Sequence, residues 1–395
     1  MRLTISTISV FIFLLYINFV NASNEITGTK FSVSGYVKDA KNGEELIGAT
    51  IFVEELKSGT ITNVYGFFSL TLNQGRYTLI VSYLGYEPYK QTIDLNSNLR
   101  LNIELHASAK TLSEVKITAD APNINITRSE MSVAKMDSKQ IEKIPALMGE
   151  VDVIKAIQLL PGVSSVSEGS SGFSVRGGGI DQNLIILDEA LVYNASHLLG
   201  FFSVFNNDAI KDLKIYKGDM PSEYGGRMSS VLDIRMKEGN QKKISGSGGI
   251  GTISGRALLE GPIWEDHTSF LIAARRTWAD IFIPLAKDTS LRDNRIFFYD
   301  LNAKINHRIN DNNRIFFSGY FGRDIFRNQF SEISFGNSTF TSRWNHLFSD
   351  KLFSNLTLSY SNYFYSLGSD ITEANSFIWV AEMTDVALKY DLGYF

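Results

Sequence analysis

Residues that could carry out chemistry are few and scattered in this 395-residue chain. Gly246, Gly248 and Gly251 satisfy the G-x-G-x-x-G pattern of a dinucleotide-binding turn. That turn needs an apolar strand before it and a helix N-terminus after it, whereas here alternation of polar and apolar residues runs on to Leu259. None of the five histidines stands at metal-ligand spacing from another, and neither H-E-x-x-H nor G-x-S-x-G occurs. We therefore expect no catalytic residue, no metal site and no cofactor, and we read the glycines as a flexible strand.

Composition narrows the function classes further. The 38 Lys and Arg are balanced by 42 Asp and Glu, a net charge of −4, which gives no electrostatic reason to expect nucleic acid as a partner. The chain has no Cys, so thiol nucleophiles, Cys-zinc sites and disulfide frameworks are excluded. Paired acids such as Glu44 and Glu45 are typical of solvated faces. The sequence predicts a protein that is not an enzyme.

The first 22 residues predict export. Arg2 precedes an apolar run over residues 8–20, and small residues follow it at Asn21 and Ala22. The run of about 13 residues is shorter than the roughly 20 that a membrane-spanning helix needs. We expect a signal peptide over 1–22; the alternative is a membrane anchor.

Residues 23–107 predict a small β-sandwich, because short alternating segments are punctuated by glycine at close intervals. The opening Gly35-x-Val37-x-Asp39-Ala40, the strand Gly48–Val53 and the run Tyr65–Leu70 resemble the carboxypeptidase-regulatory-like domain of transthyretin type. That domain carries no catalytic group of its own, so the resemblance implies a fold and no peptidase activity.

Residues 108–139 read as a polar linker, and residues 140–240 as a mixed α+β domain. Apolar residues over 148–160 recur on one helical face and Pro161-Gly162 ends the pattern, which predicts a short amphipathic helix. Strands and glycine turns follow, with a second short helix expected at about 207–212. Charged residues cluster around the glycine turns, and they could form ion pairs inside a polar lumen or be ordinary surface charges. The set comprises Arg176, Asp188, Glu223, Arg227, Asp233 and Arg235.

Residues 241–395 alternate on a longer scale. Phe297, Leu301 and Ile305 fall on one face of a strand whose other face carries polar residues such as Asp300 and Lys304. Of the 48 aromatic residues, 27 lie in the last 152 positions, and all four Trp are among them. Long alternating strands with aromatic ends and tight turns are typical of a transmembrane β-barrel wall. The pattern predicts about seven such strands; the alternative is a soluble sandwich.

The middle of the chain resembles the plug domain of TonB-dependent outer-membrane receptors. Val175-Arg176-Gly177, the strand ending at Leu187-Asp188 and the strand before Lys217-Gly218 occur in the family's order, followed by Tyr224-Gly225 and the strand VLDIRMKEG that begins at Val231. Glu189 stands where glycine is usual, and Gly226-Arg227 replaces a pair of small residues. A carboxypeptidase-regulatory-like domain before the plug is an arrangement of Bacteroidetes-type receptors.

The resemblance extends to two candidate sites. The segment 112–119 is similar to the TonB box, the extended segment by which such receptors contact TonB; an extended segment can add a strand to a partner's sheet edge. Its residues are Leu112, Ser113, Glu114, Val115, Lys116 and Ile117, with Lys116 in place of an apolar residue. The plug tip after the 183–188 strand is the candidate ligand-facing surface, formed by Tyr193, Asn194, Ser196 and His197.

The fold class that follows is mainly β: a sandwich, an α+β plug and the first strands of an antiparallel barrel. The resemblance implies an outer-membrane receptor that imports a scarce nutrient, with the N-terminal domain and plug on the periplasmic side and TonB, with its inner-membrane motor proteins, as energy source. Outer-membrane lipid, the nutrient and a surface lipoprotein are the other expected partners. A signalling receptor acting through its N-terminal domain and a surface adhesion protein are the alternatives. Because a transporter barrel has about 22 strands, we expect this chain to be an N-terminal fragment or a truncated product.

Overall fold

The computed structural model describes residues 29–108, 132–145, 149–167, 170–285, 292, 294–370 and 376–395. Within them, strands predominate and helices are short. No described helix combines the length and the apolar character needed to cross a membrane. The predicted signal peptide and the TonB-box-like segment 112–119 lie outside the described residues.

The N-terminal domain is a sandwich of two sheets. One has the order β4-β1-β7 with β8 also paired to β1, and the other has the order β3-β2-β5-β6. Alternate residues of both sheets face each other, and Val33, Ile51, Phe68 and Leu79 in this core are fully buried. The strands are β1 Lys30–Asp39, β2 Thr50–Val53, β3 Ser58–Ile61, β4 Phe67–Asn73, β5 Gly75–Ser82, β6 Tyr89–Leu95, β7 Leu99–Arg100 and β8 Ile103–Leu105.

The middle domain contains a five-stranded sheet, and one of its strands lies in the segment 108–139 that we expected to be a linker. Its strand order is β13-β12-β17-β16-β9, with β12 and β17 parallel, and its edge strand β9 precedes residue 140. The predicted boundaries at 107, 139 and 240 stay predictions. The strands are β9 Val133–Asp137, β10 Val163–Ser165, β11 Phe173–Val175, β12 Asn183–Leu187, β13 Ala190–Leu191, β14 Ser196–His197, β15 Phe202–Ser203, β16 Ile210–Tyr216 and β17 Ser230–Met236.

Two short helices accompany this sheet, α1 Ser138–Ile141 and α2 Val153–Gln158. Asp152 caps α2 by accepting hydrogen bonds from the amides of Ile154 and Lys155 at 2.8 and 3.1 Å. The helix expected at 207–212 is a single 3-10 turn over Asn207–Ala209. Residues from Ile210 onward alternate and pair with both β17 and β9, so sheet pairing replaces the helix there.

The C-terminal third forms one antiparallel sheet, the wall sheet. Within the described residues it has eight strands in sequence order, one more than the seven or so expected, and the glycine-rich segment is its first strand. Helix α3 Ala279–Phe282 lies in the connection between its third and fourth strands. The strands are β18 Ser245–Ile250, β19 Ser254–Trp264, β20 Thr268–Thr277, β21 Arg295–Asn310, β22 Asn313–Arg327, β23 Ser331–Leu347, β24 Leu352–Asp370 and β25 Ser376–Tyr394.

Candidate functional site: the middle domain on the inner face of the wall sheet

The wall sheet has its polarity reversed relative to a soluble sheet. On β21, Asn302 and Lys304 are buried while Leu301 and Ile305 are 46% and 42% exposed. We call the polar, covered side the inner face and the apolar side the outer face. An apolar outer face with a polar interior is what a strand needs when lipid lies on one side and water on the other. Further outer-face residues are Ile272, Phe317, Phe321, Phe340, Leu358, Val386 and Leu388, all exposed.

The middle domain covers the inner face. Four residues of the wall sheet, Leu258, Leu271, Ala273 and Tyr320, belong to the same buried core as the helix and strands of the middle domain. At Gly239, φ is +82°, and a Cβ there would clash with the carbonyl oxygen of Phe270 on β20. Only glycine allows the two backbones to approach this closely. The two parts therefore pack as one body.

His197 makes a fully enclosed polar contact between the middle domain and the wall sheet. Its Nδ1 lies 2.6 Å from Asp324 and its Nε2 lies 2.6 Å from Asp300, with all three side chains buried. Its ring stacks on Phe298 at 4.2 Å between centroids. A ring nitrogen donates to a carboxylate only when protonated, so two flanking carboxylates hold the ring as imidazolium. Burial disfavours that charge, but Asp300 and Asp324 outweigh it and raise the pKa of His197 to about 9. We call these three residues the histidine clasp.

Arg275 of β20 extends the clasp. Its guanidinium donates to Asp300 at 2.7 Å and to the carbonyl oxygen of Ser203 at 2.8 Å. The Tyr320 hydroxyl also donates to Asp300, at 2.8 Å. Asp300 thus accepts from three neighbours, which compensates for its removal from water.

The turn after β12 makes a second buried contact. The Lys304 ammonium lies 2.8 Å from Asp188, and Asp188 also accepts from the amide of Met236 at 3.0 Å. Burial works to raise the pKa of Asp188, but the Lys304 charge outweighs it and the pKa is lowered. Glu189 pairs with Arg343 at 3.4 Å. Both acids lie in a turn where φ is positive, and both pair with basic residues of the wall sheet.

The N-terminal domain contacts one end of the wall sheet, which we call the turn end. Its turns are 265–267, 311–312 and 348–351. Arg100 donates to Asn312 at 2.6 Å and to Asp350 at 3.0 Å. Glu45 and Arg314 form a buried ion pair, and the Arg314 guanidinium lies 3.9 Å from the centroid of the Tyr36 ring.

An aromatic cluster seals the same contact. Phe67 of the N-terminal domain stacks on Phe353 of β24 at 5.8 Å and meets Phe395 edge to face at 5.6 Å. Tyr65 stacks on Phe353 at 5.2 Å. Aromatic pairs in these geometries add to the free energy of burial, so the N-terminal domain is held by both packing and charge.

Comparisons with known proteins follow this architecture. Residues 33–117 match the family described as a CarboxypepD_reg-like domain. Residues 125–231 match the TonB-dependent receptor plug domain. The chain carries the plug domain of the TonB-dependent receptors. Both resemblances drawn from the sequence are thereby confirmed, as is the predicted fold class.

Two curated relatives agree. The receptor is 27% identical over 223 residues to the TonB-dependent receptor SusC of Bacteroides thetaiotaomicron, covering 53% of this chain and 21% of the relative. It is 27% identical over 236 residues to the TonB-dependent receptor P39 of Formosa agariphila, covering 56% of this chain and 20% of the relative. The chain spans about a fifth of the length of these relatives.

A solved structure supports the fold. A mutant of the ferric enterobactin receptor PfeA from Pseudomonas aeruginosa superimposes with a TM-score of 0.50 at 16% identity, covering 68% of this chain and 47% of that one. The middle domain is therefore the plug and the wall sheet is barrel wall. TonB-dependent receptors are outer-membrane proteins, and the family consists of transporters rather than enzymes.

The structure separates the predicted plug-tip residues of the receptor. Tyr193, Asn194 and Ser196 are half-buried, and the Asn194 carbonyl oxygen accepts from Asn337 of the wall at 2.6 Å. His197 is only 1% exposed. Both of its ring nitrogens are occupied by the clasp, so it does not face open space as expected. The ligand-facing role of the other three stays a prediction.

The charged set predicted around the glycine turns is only partly paired within the plug. Asp233 and Arg235 pair at 3.3 Å, while Asp188 and Glu223 pair with wall residues Lys304 and Lys389. The other two donate to uncharged oxygens, Arg176 to the Ser132 hydroxyl and Arg227 to the Gly226 carbonyl.

Sequence reasoning missed the wall side of these contacts. Asp300 and Lys304 were named only as residues of a polar strand face, and Asp324 and Arg343 were not singled out. The exposed plug residues Leu199 and Phe201 were not singled out either. The available signal was the alternation of polar and apolar residues, because each of these charged residues lies on the polar face of its strand among Asn, Ser and Thr. Across the described residues, no group of three or more His, Asp or Glu is arranged to hold a metal ion.

Proposed function

We propose that this receptor imports a scarce nutrient across the outer membrane, with the plug blocking the pore until TonB pulls on the segment 112–117. The observation that carries the proposal is the plug's seat on the inner face of the wall, where the histidine clasp and the Lys304–Asp188 pair bridge the two parts. A plug held this way closes the route at rest. Its charged contacts with the wall occupy defined positions, so a pull on the plug would have to break these buried pairs.

The proposed orientation places the turn end in the periplasm. Periplasmic turns of outer-membrane barrels are short, and the N-terminal domain docks at this end through Arg100, Asn312 and Asp350. The end of β20 and the start of β21 then lie at the opposite end of the sheet, which we call the loop end and place outside the cell. In this orientation the signal peptide 1–22 directs export, and TonB meets the receptor from the periplasm.

The ligand would meet the plug from the loop end. Tyr193, Asn194 and Ser196 are proposed to contact it, joined by Leu199 and Phe201, which are 67% and 58% exposed. These residues flank the histidine clasp in sequence, so a bound ligand would bear on the segment that the clasp fixes. A surface lipoprotein that delivers the ligand is a further proposed partner.

Proline in the TonB-box-like segment tests the proposal. The double substitution Glu114→Pro and Val115→Pro removes two amide donors from the segment, and strand addition depends on main-chain hydrogen bonds. We expect at least about a tenfold loss of retention on immobilised TonB periplasmic domain, since two lost hydrogen bonds of about 1 kcal/mol each suffice. Growth under the limitation that requires the receptor should fall in parallel.

A matched variant with Asn123→Pro and Ile124→Pro, in the same stretch of chain, should retain both. Unchanged growth with the 114/115 variant would contradict import and favour the adhesion alternative. Deleting residues 32–107 addresses the signalling alternative, which requires loss of gene induction with uptake intact.

A further inference from the structure

The outer face carries a group of arginines near the loop end. Arg276, Arg295, Arg323 and Arg327 lie at or within a few residues of the strand ends there. Register places Arg276 beside Tyr299, and Tyr299 beside Arg323, so the three form one row across β20, β21 and β22. Arg295 and Arg327 face each other in the outermost row. We call these four residues the arginine rim.

Aromatic rings hold two of the rim guanidinium groups. Arg276 lies over the Phe297 ring at 5.0 Å, and Arg323 lies over the Phe364 ring at 4.9 Å. Stacking on a ring orients a guanidinium and leaves the N–H groups at its edge able to bind an acceptor. Two of the four guanidinium groups are therefore already oriented by ring stacking before an anion binds.

Charge in the rim is incompletely balanced. Like charges directly opposite each other on one face of a sheet repel, as Arg295 and Arg327 do. Of the residues that the structure describes, two carboxylates pair with the four guanidinium groups: Asp280 with Arg276 at 2.7 Å, and Glu332 with Arg327 at 3.7 Å. The Arg323 side chain donates to the Ser334 hydroxyl at 2.9 Å. An added anion would relieve the repulsion.

The rim adjoins the apolar band of the outer face. On β22, Phe321 is the next outer-face residue after Arg323 toward the middle of the strand. On β21, Leu301 is the third outer-face residue after Arg295. Both Phe321 and Leu301 are exposed. The turn end shows a contrast, since its outer face carries the uncharged rings of Trp264, Trp344 and Phe348, all exposed. Positive charge on this face is therefore concentrated where the apolar band ends at the loop end.

We propose that the arginine rim binds phosphate groups of lipid headgroups in the outer leaflet. The inference rests on the proposed orientation, in which the loop end lies outside the cell. Guanidinium groups bind phosphate through two parallel N–H···O bonds, and the apolar band places the lipid chains directly beside them. A ligand in the pore cannot use these residues, because they point away from the inner face.

Retention of lipid phosphate by the purified receptor tests the rim. The receptor is extracted from outer membranes in mild detergent, and lipid phosphate per protein is measured with mass spectrometry of the lipid. Replacing all four arginines by glutamine should lower retention at least about tenfold, since each basic residue near a charged membrane surface contributes roughly a fivefold effect. A control variant, Lys41, Lys57, Arg76 and Lys90 to glutamine, removes the same charge from the N-terminal domain and should retain lipid normally.

Replacing the four arginines by lysine keeps the charge and loses the paired hydrogen bonds, so this variant should retain an intermediate amount of lipid phosphate. It remains informative if the glutamine variant does not insert into the membrane. Equal retention by inserted wild-type, rim and control proteins would overturn the inference. Complete stripping of lipid by washing with inorganic phosphate would also overturn it, because the rim would then be a small-anion site. A wild-type protein absent from outer membranes would instead contradict the proposed function.

Discussion

Replacing His197 by alanine is expected to loosen the plug from the wall by about 3–5 kcal/mol, the usual cost of removing one partner from a buried ion pair. The substitution leaves Asp324 with the amide of Leu198 as its remaining donor, and it removes the charge that faces Asp300. Urea titration of protease cleavage within residues 149–240, followed in outer membranes, measures the change. Cleavage should begin at clearly lower urea in the variant.

His346 provides the matched control. It bonds the Asn313 side chain at 2.8 Å and faces no carboxylate in the described contacts, so His346→Ala should shift the urea dependence little. Adding Asp324→Asn to His197→Ala should recover part of the loss, because it removes the stranded charge. Identical cleavage profiles for wild-type and His197→Ala would show that the clasp does not hold the plug.

The clasp also predicts a pH dependence with a defined sign. The pKa of His197 is about 9 in the folded receptor, above the value of about 6.5 for an unperturbed histidine. A raised pKa contributes stability that is complete below pH 6.5 and is lost as pH rises through 9. The difference corresponds to about 3 kcal/mol. Plug cleavage should therefore become easier between pH 6.5 and 9 in wild-type receptor, and His197→Ala should lack this trend.

Replacing Arg314 by methionine is expected to release the N-terminal domain from the turn end. Glu45 would stay buried, and among the described residues Lys38, at 3.8 Å, would be its one remaining ion-pair partner. A buried carboxylate that loses its partner costs about 3–5 kcal/mol. Because the receptor has no cysteine, a pair introduced at Ser34 and Asp350 reports docking. Those two side chains are 3.2 Å apart. Cross-linking yield should fall at least about tenfold, since 1.4 kcal/mol already gives that factor.

Arg314→Lys keeps a charge opposite Glu45 and should retain part of the yield. The joint substitution Glu45→Gln with Arg314→Met removes both charges and should restore docking relative to Arg314→Met alone, since the aromatic cluster of Phe67, Phe353 and Phe395 remains. An unchanged yield in Arg314→Met would mean that the aromatic cluster alone holds the domain.

Strand alternation made most of the fold predictable. Leu301 and Ile305 against Asn302 and Lys304 determine which side of β21 faces lipid, because one residue of slip would reverse every side chain. The glycine-rich strand β18 was also expected. The helix expected at 207–212 failed because Ile210–Tyr216 gains two hydrogen-bonded neighbours, and pairing across the sheet overrides local helix preference.

The site was less accessible to sequence reasoning. His197 was singled out, but its partners Asp300 and Asp324 lie 103 and 127 positions away, and no spacing rule links them. Asp188 was singled out as a charged residue and Glu189 as a departure from the usual glycine, and the wall partners of both depend on how the plug is seated. Local pattern determines which face a charge occupies, whereas the choice of partner depends on the packing of two domains.

Asparagine, serine and threonine side chains make up much of the buried inner face of the wall sheet, and Asn337, Thr339 and Thr357 are examples. Such groups exchange a protein partner for water at little net cost. Moving the plug across this polar surface would therefore cost little free energy. The resistance to its displacement would be concentrated at the buried charged contacts. The mechanical threshold for opening could then be tuned by single substitutions at those points, with the rest of the barrel left alone.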